Sequence, residues 1–212
     1  MDLTLIQKIA IYALPVIFAI TVHEAAHGYA ARYFGDMTAH LSGRITLNPL
    51  KHIDPIGTIL VPALALFAGG ILFGWAKPVP VDFSRLRNPK RDMLWVAAAG
   101  PASNLVMAIL WALAFRFSGD LAANIGVPLA YMAQAGIMIN VVLMVLNLLP
   151  LPPLDGGRIA VSLLPHHLAN QYAKIEKYGF MILIALLFTG VLSKIMQPFI
   201  ISAISLISYL FV

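Results

Sequence analysis

The 212-residue chain has no cysteine, and only 11% of its residues carry a charge. The missing thiols exclude disulfides and thiolate-held metals, so any bound ion must take nitrogen and oxygen ligands. The shortage of charge excludes an ordinary soluble domain, which is about a quarter charged and about half apolar. Here 60% of the residues are hydrophobic. Acids are the scarcer sign, 9 Asp and Glu against 14 Lys and Arg, for a net charge of +5. In a soluble protein that excess would suggest nucleic acid. Here Lys and Arg gather in short connecting loops, the positive-inside pattern of a membrane protein, so the expected partner is the lipid bilayer and no nucleic acid. The length suits one membrane domain over 1–212 and leaves no room for a sizeable soluble module. Residues 3–31 open without a basic stretch or a small-residue cleavage site, and are expected to remain as a helix.

Apolar runs long enough to cross a bilayer cover 5–31, 93–117, 129–150, 178–193 and 195–212. The last two abut, and Lys194 and Pro198 predict either a short hairpin or one broken helix. A sixth run, 56–76, is interrupted by Pro62, Gly69, Gly70 and Gly74, with Pro78 and Pro80 just beyond. The expected fold is therefore all-α and polytopic, with about five to six transmembrane segments.

Loop charge makes the sixth run unusual. Lys and Arg mark the loops 32–52, 77–91 and 155–177, whereas 118–128 carries only Asp120. The positive-inside rule puts the first three in the cytosol. Loops 32–52 and 77–91 share a side only if 56–81 enters and returns, with 56–68 helical, a turn at the glycine pair and 71–81 extended. Such backbone survives at membrane depth only when buried in protein or beside a wet cavity. The alternative is a kinked helix that crosses, with 77–91 outside.

The first apolar run ends in "HEAAH", which puts ionisable His23, Glu24 and His27 on a membrane helix. Positions i and i+4 share a helix face, so both imidazoles can reach one ion, with the glutamate beside the water on it. Ionisable groups at such a depth are costly and usually mark function. A catalytic tetrahedral zinc needs a third protein ligand and keeps its fourth position for water. Asp155, in "LNLLPLPPLDGGR", ends the run 129–150 at the same expected depth, and the two glycines after it let backbone come close. His40, His52, Asp54, His166 and His167 are rivals that fall in polar loops. Asn104, in "AAAGPASN", and Asn147 lie inside apolar runs, where a carboxamide must be paired. Both are expected at the site, holding substrate or an oxyanion, while Asn140 reads as interhelical glue. Gly100 and Pro101 would let the Asn104 helix approach its neighbours.

"HEAAH", "GPASN" and "NLLPLPPLDGG" in this order, with "GRITLNPLKHIDPIGT", "FGWAKPVPVD" and "KIEKYGFMILI", resemble the site-2 protease family of intramembrane zinc metalloproteases. The likeness is to its compact prokaryotic branch without a PDZ or CBS module and covers nearly the whole chain. It implies a three-helix catalytic core near 5–31, 93–117 and 129–150, one zinc ion per chain on His23, His27 and Asp155, and Glu24 as base. It further implies a small re-entrant β-element at 71–81 that pairs with substrate, with Gly74, Trp75, Pro78 and Val79 in the matching motif. The implied substrates are single-pass transmembrane proteins or peptides, cut in regulated intramembrane proteolysis or as signal-peptide remnants. The implied setting is a prokaryotic plasma membrane. Two other classes fit a buried His/Asp cluster: a metal or proton transporter, and a non-catalytic scaffold that keeps zinc for folding.

Overall fold

The computed structural model describes residues 4–60 and 76–212. Helix α1, Leu5–Tyr33, starts at a capping box: the Thr4 hydroxyl accepts from the Gln7 N–H, and the Gln7 side chain accepts from the Thr4 N–H. This satisfies main-chain donors that the first turn leaves free. The chain leaves α1 at Gly35 and enters a short helix α2, Thr38–Leu41, then a π-helical turn, Pro55–Leu60. Residues 76–82 run without helix or strand before a 3-10 turn, Phe83–Arg85. The expected β-element therefore divides: 71–75, with Gly74 and Trp75, lies outside the described residues, and 76–81 pairs in no strand.

Helix α3, Pro89–Ser118, opens with Pro89, whose missing N–H costs nothing at that position. Helix α4, Ala123–Leu148, begins before the expected 129 and carries Pro128 inside its second turn. Then come α5, Asp155–Leu163, α6, His166–Ala173, α7, Glu176–Phe188, and α8, Val191–Phe211. The break between α7 and α8 falls at Gly190, with φ 72°, and Lys194 and Pro198 both lie inside α8. Glycine takes this left-handed conformation without a Cβ clash, which is why the chain turns there.

Four helices among the described residues are long and apolar enough to cross a bilayer, namely Ile9–Tyr33, Pro89–Ser118, Ala123–Leu148 and Val191–Phe211. At 13 residues, α7 reaches only about 20 Å. The protein is thus an all-α integral membrane protein. Helices α3 and α4 pack through small residues, with Ala108, Ala112 and Ala133 fully buried, and α7 and α8 join the same core through Leu183, Leu192, Met196 and Ile207. Small side chains let membrane helices approach closely, where packing replaces the missing hydrophobic drive. Helix α1 lies against α3 and α4, and α5 lies against α3. The start of α5 is thereby brought to the face of α1 that carries the histidines.

Candidate metal centre

His23 and His27 lie one turn apart on α1 and face α3 at Gly100. A Cβ at Gly100 would sit 2.6 Å from Cε1 of both rings, so only glycine leaves room for the pair. Asp155 reaches them from the first residue of α5. Its position depends on Gly157, where a Cβ would sit 2.6 Å from the Leu151 carbonyl carbon of the loop that delivers the aspartate.

The three side chains form a nearly equilateral triangle. The two Nε2 atoms are 3.1 Å apart, and each is 3.3 Å from Asp155 Oδ2. A tetrahedral zinc with bonds of about 2.0–2.1 Å separates its ligands by about 3.3–3.4 Å. The proton inventory agrees with this spacing. Asn104 donates from Nδ2 to the Ala19 carbonyl at 3.2 Å and to Asn140 Oδ1 at 3.0 Å, so its own Oδ1 faces His23. His23 Nδ1–H then donates to Asn104 Oδ1 at 2.6 Å, and His27 Nδ1–H to the Val96 carbonyl at 2.7 Å. Both Nε2 atoms are left with lone pairs turned to the same point. Asp155 Oδ2 is buried and accepts no hydrogen bond. Three acceptors converge with no proton between them, an arrangement that repels unless a cation fills it.

Glu24 is half-buried beside the triangle, and its Oε2 accepts the Val79 N–H at 2.7 Å. Val79 is buried and Pro78 exposed. Asn104 is fully buried, with its carboxamide committed to His23, Ala19 and Asn140 instead of an open substrate face. Asn147 is half-buried and donates to the Leu143 carbonyl of its own helix at 3.0 Å. The rivals lie elsewhere. His40, His166 and His167 are exposed, Asp54 caps the π-helical turn by accepting from the Gly57 N–H at 2.7 Å, and His52 Nε2 pairs with the Thr46 carbonyl at 2.9 Å. Among the described residues, His23, His27 and Asp155 are the group of three that could hold a metal ion.

Sequence reasoning missed Val96, which acts through its main chain, and the continuation of the carboxamide chain from Asn140 to the Gly136 carbonyl at 2.8 Å. The four-residue spacing of Gly100 and Asn104 was the available signal, since it puts cradle and orienting carboxamide on one face of α3. Gly100→Ala would push a methyl between the imidazoles. It is expected to weaken zinc binding by about 10- to 100-fold, measured by competition with a chromogenic chelator in detergent. Wild-type affinity in that variant would show that the rings do not converge on the ion here.

Comparisons with known proteins agree on one family. Residues 120–190 match Peptidase family M50, a stretch that includes Asn147 and Asp155. The chain is 40% identical to YwhC of Bacillus subtilis, provisionally named a zinc metalloprotease, over 87% of this chain and 83% of that protein. It is 34% identical to Rip2 of Mycolicibacterium smegmatis, also provisionally named a zinc metalloprotease, over 84% of this chain and 66% of the relative. Identity to Rip2 of Mycobacterium tuberculosis is likewise 34%, over 65% of this chain and 51% of that protein. No solved structure matches the chain significantly.

Proposed function

Because the chain belongs to peptidase family M50 and is an intramembrane zinc metalloprotease, we propose that His23, His27 and Asp155 hold its zinc and that Glu24 is its base. One observation carries this assignment: three acceptor atoms, 3.1–3.3 Å apart, meet with no proton to share. Zinc bound there supplies a Lewis acid for the scissile carbonyl and makes water a competent nucleophile near neutral pH. The protein does the rest. Glu24 takes a proton from the attacking water on a carboxylate oxygen and returns it to the leaving amine. Asn104 and the Val96 carbonyl fix the tautomer and tilt of the two imidazoles, so that both Nε2 atoms stay directed at the ion. Asn147 sits close before the loop to Asp155, and its carboxamide is placed by this reading beside the scissile carbonyl.

The substrates of this reading are single-pass transmembrane proteins or peptides, unwound locally so that a peptide bond reaches the site. Single-pass regulators and signal-peptide remnants both fit that description. The whole of 1–212 is one metalloprotease domain with about five to six membrane segments. The basic loops turn the site to the cytosolic face of a prokaryotic plasma membrane. The test is hydrolysis of a quenched-fluorescent transmembrane peptide by purified protein in lipid nanodiscs. Chelation is expected to remove cleavage, and one equivalent of zinc to restore it. Cleavage that persists after the metal is removed, or a zinc-loaded protein that cuts no transmembrane peptide of a varied panel, would overturn the reading.

A further inference from the structure

Segment 77–82 has no regular secondary structure, yet its main chain is fastened at fixed points. The Lys77 N–H donates to the His52 carbonyl at 2.9 Å. Arg44 Nη2 donates to the carbonyls of Lys77 and Pro78, at 2.9 and 3.2 Å. At the far end, the Asp82 N–H donates to Asp36 Oδ2 at 2.7 Å. Asp36 is fully buried, and its other oxygen accepts from the Thr38 N–H at 2.9 Å, so this anchor is saturated. Between the anchors, Pro78 and Pro80 have fixed φ and no N–H, which leaves Val79 and Val81 as the donors there. Val79 turns its side chain onto α1 at Gly28, where a Cβ would sit 3.3 Å from Val79 Cγ1. Gly28 is one turn beyond Glu24, and this seat aims the Val79 N–H at the Glu24 carboxylate.

We infer that the main-chain N–H of Val79 is the positioning donor for Glu24, and that the strap 77–82 is a brace that holds one oxygen of the base and leaves the other for the water. The inference rests on the reading of Glu24 as base. A glutamate on a helix surface otherwise samples several rotamers, and misplacing a reacting group by about 1 Å can cost about 100-fold in rate. A single charge-assisted hydrogen bond from a fixed main chain selects one of those rotamers. The prolines on either side make that donor rigid and keep rival donors away. The brace also withdraws the Val79 N–H from any substrate strand that pairs along the strap.

Two measurements test the brace. In bilayers containing 15N-valine-labelled protein, the Val79 amide is expected to exchange slowly with deuterium in the wild type and rapidly in Glu24→Ala. Equal exchange rates would overturn the contact, and this result stands whether or not any peptide is cut. The second replaces Val79 by its α-hydroxy acid, which keeps the side chain and turns the amide into an ester. Zinc content and KM are expected to hold while kcat falls about tenfold or more. An unchanged kcat would overturn the brace, and so would a raised KM with kcat intact, because it would assign the N–H to substrate. Should the ester protein not fold, Arg44→Ala loosens the strap without touching Glu24. It is expected to lower kcat with KM held and to be partly rescued by Arg44→Lys. A wild-type kcat in Arg44→Ala would overturn the brace.

Discussion

Glu24→Gln is expected to keep one zinc per chain while kcat for a transmembrane peptide falls by about 100- to 10,000-fold, the usual worth of a positioned base. Glutamine has nearly the same shape, and its amide oxygen can still accept the Val79 N–H that Glu24 Oε2 accepts at 2.7 Å. The strap therefore stays seated. What disappears is the ability to carry the water's proton, since a carboxamide has no basic oxygen near neutral pH. Glu24 is not in the group of three side chains that could hold a metal ion, so metal content should not follow activity down. The substitution also replaces a half-buried carboxylate by a neutral group, which lowers the cost of burial and should leave the melting temperature unchanged or higher. Metal content by elemental analysis, read beside kcat on the same preparation, separates these effects. Near-normal cleavage would remove Glu24 from its role. Loss of zinc together with activity would mean that Glu24 holds the ligands in place instead of moving a proton.

The helices were legible because apolar runs bounded by polar loops leave little choice of structure in a membrane, and the pairing of His23 with His27 was legible because i,i+4 spacing is a local property of a helix. Asp155 was found by a coarser argument, the shared side of two basic loops, which places a residue in depth but not in contact. Contacts between distant elements were out of reach. Nothing in "GPASN" tells which groups lie across from Asn104, and its place beneath His23 depends on how α1 and α3 cross. The Glu24 bond to Val79 joins residues 55 apart through a main-chain N–H, a donor that all residues but proline own, so no residue type marks it. The break at Gly190 was missed for the opposite reason. Lys194 and Pro198 are the more conspicuous residues, but both lie inside α8, whereas Gly190 takes the left-handed turn without a Cβ clash.

Asp155→Ala is expected to leave the purified protein with almost no zinc, and with no cleavage above background, while the helices stay assembled. The physical reason is that two imidazoles on one helix make only half of a tetrahedral site, and among the described residues Asp155 supplies the carboxylate of the group of three that could hold a metal ion. Asp155 sits at the first residue of α5 in a loop already held by the close approach of Gly157 to Leu151, so its side chain is not what keeps that loop in place. His23→Ala makes an informative partner experiment, because it removes the same metal but also strands Asn104 Oδ1, which is fully buried and accepts from the His23 ring. A buried acceptor without a donor costs about 1–3 kcal/mol, so His23→Ala should melt lower than Asp155→Ala although both lack zinc. Added zinc supplies a second contrast. A ligand that binds only the folded state raises stability with its concentration, so zinc should raise the melting temperature of metal-stripped wild type and leave Asp155→Ala unmoved. Should Asp155→Ala retain a full zinc or respond to it as wild type does, the third ligand lies elsewhere in the chain, and the converging acceptors at 3.3 Å need another explanation.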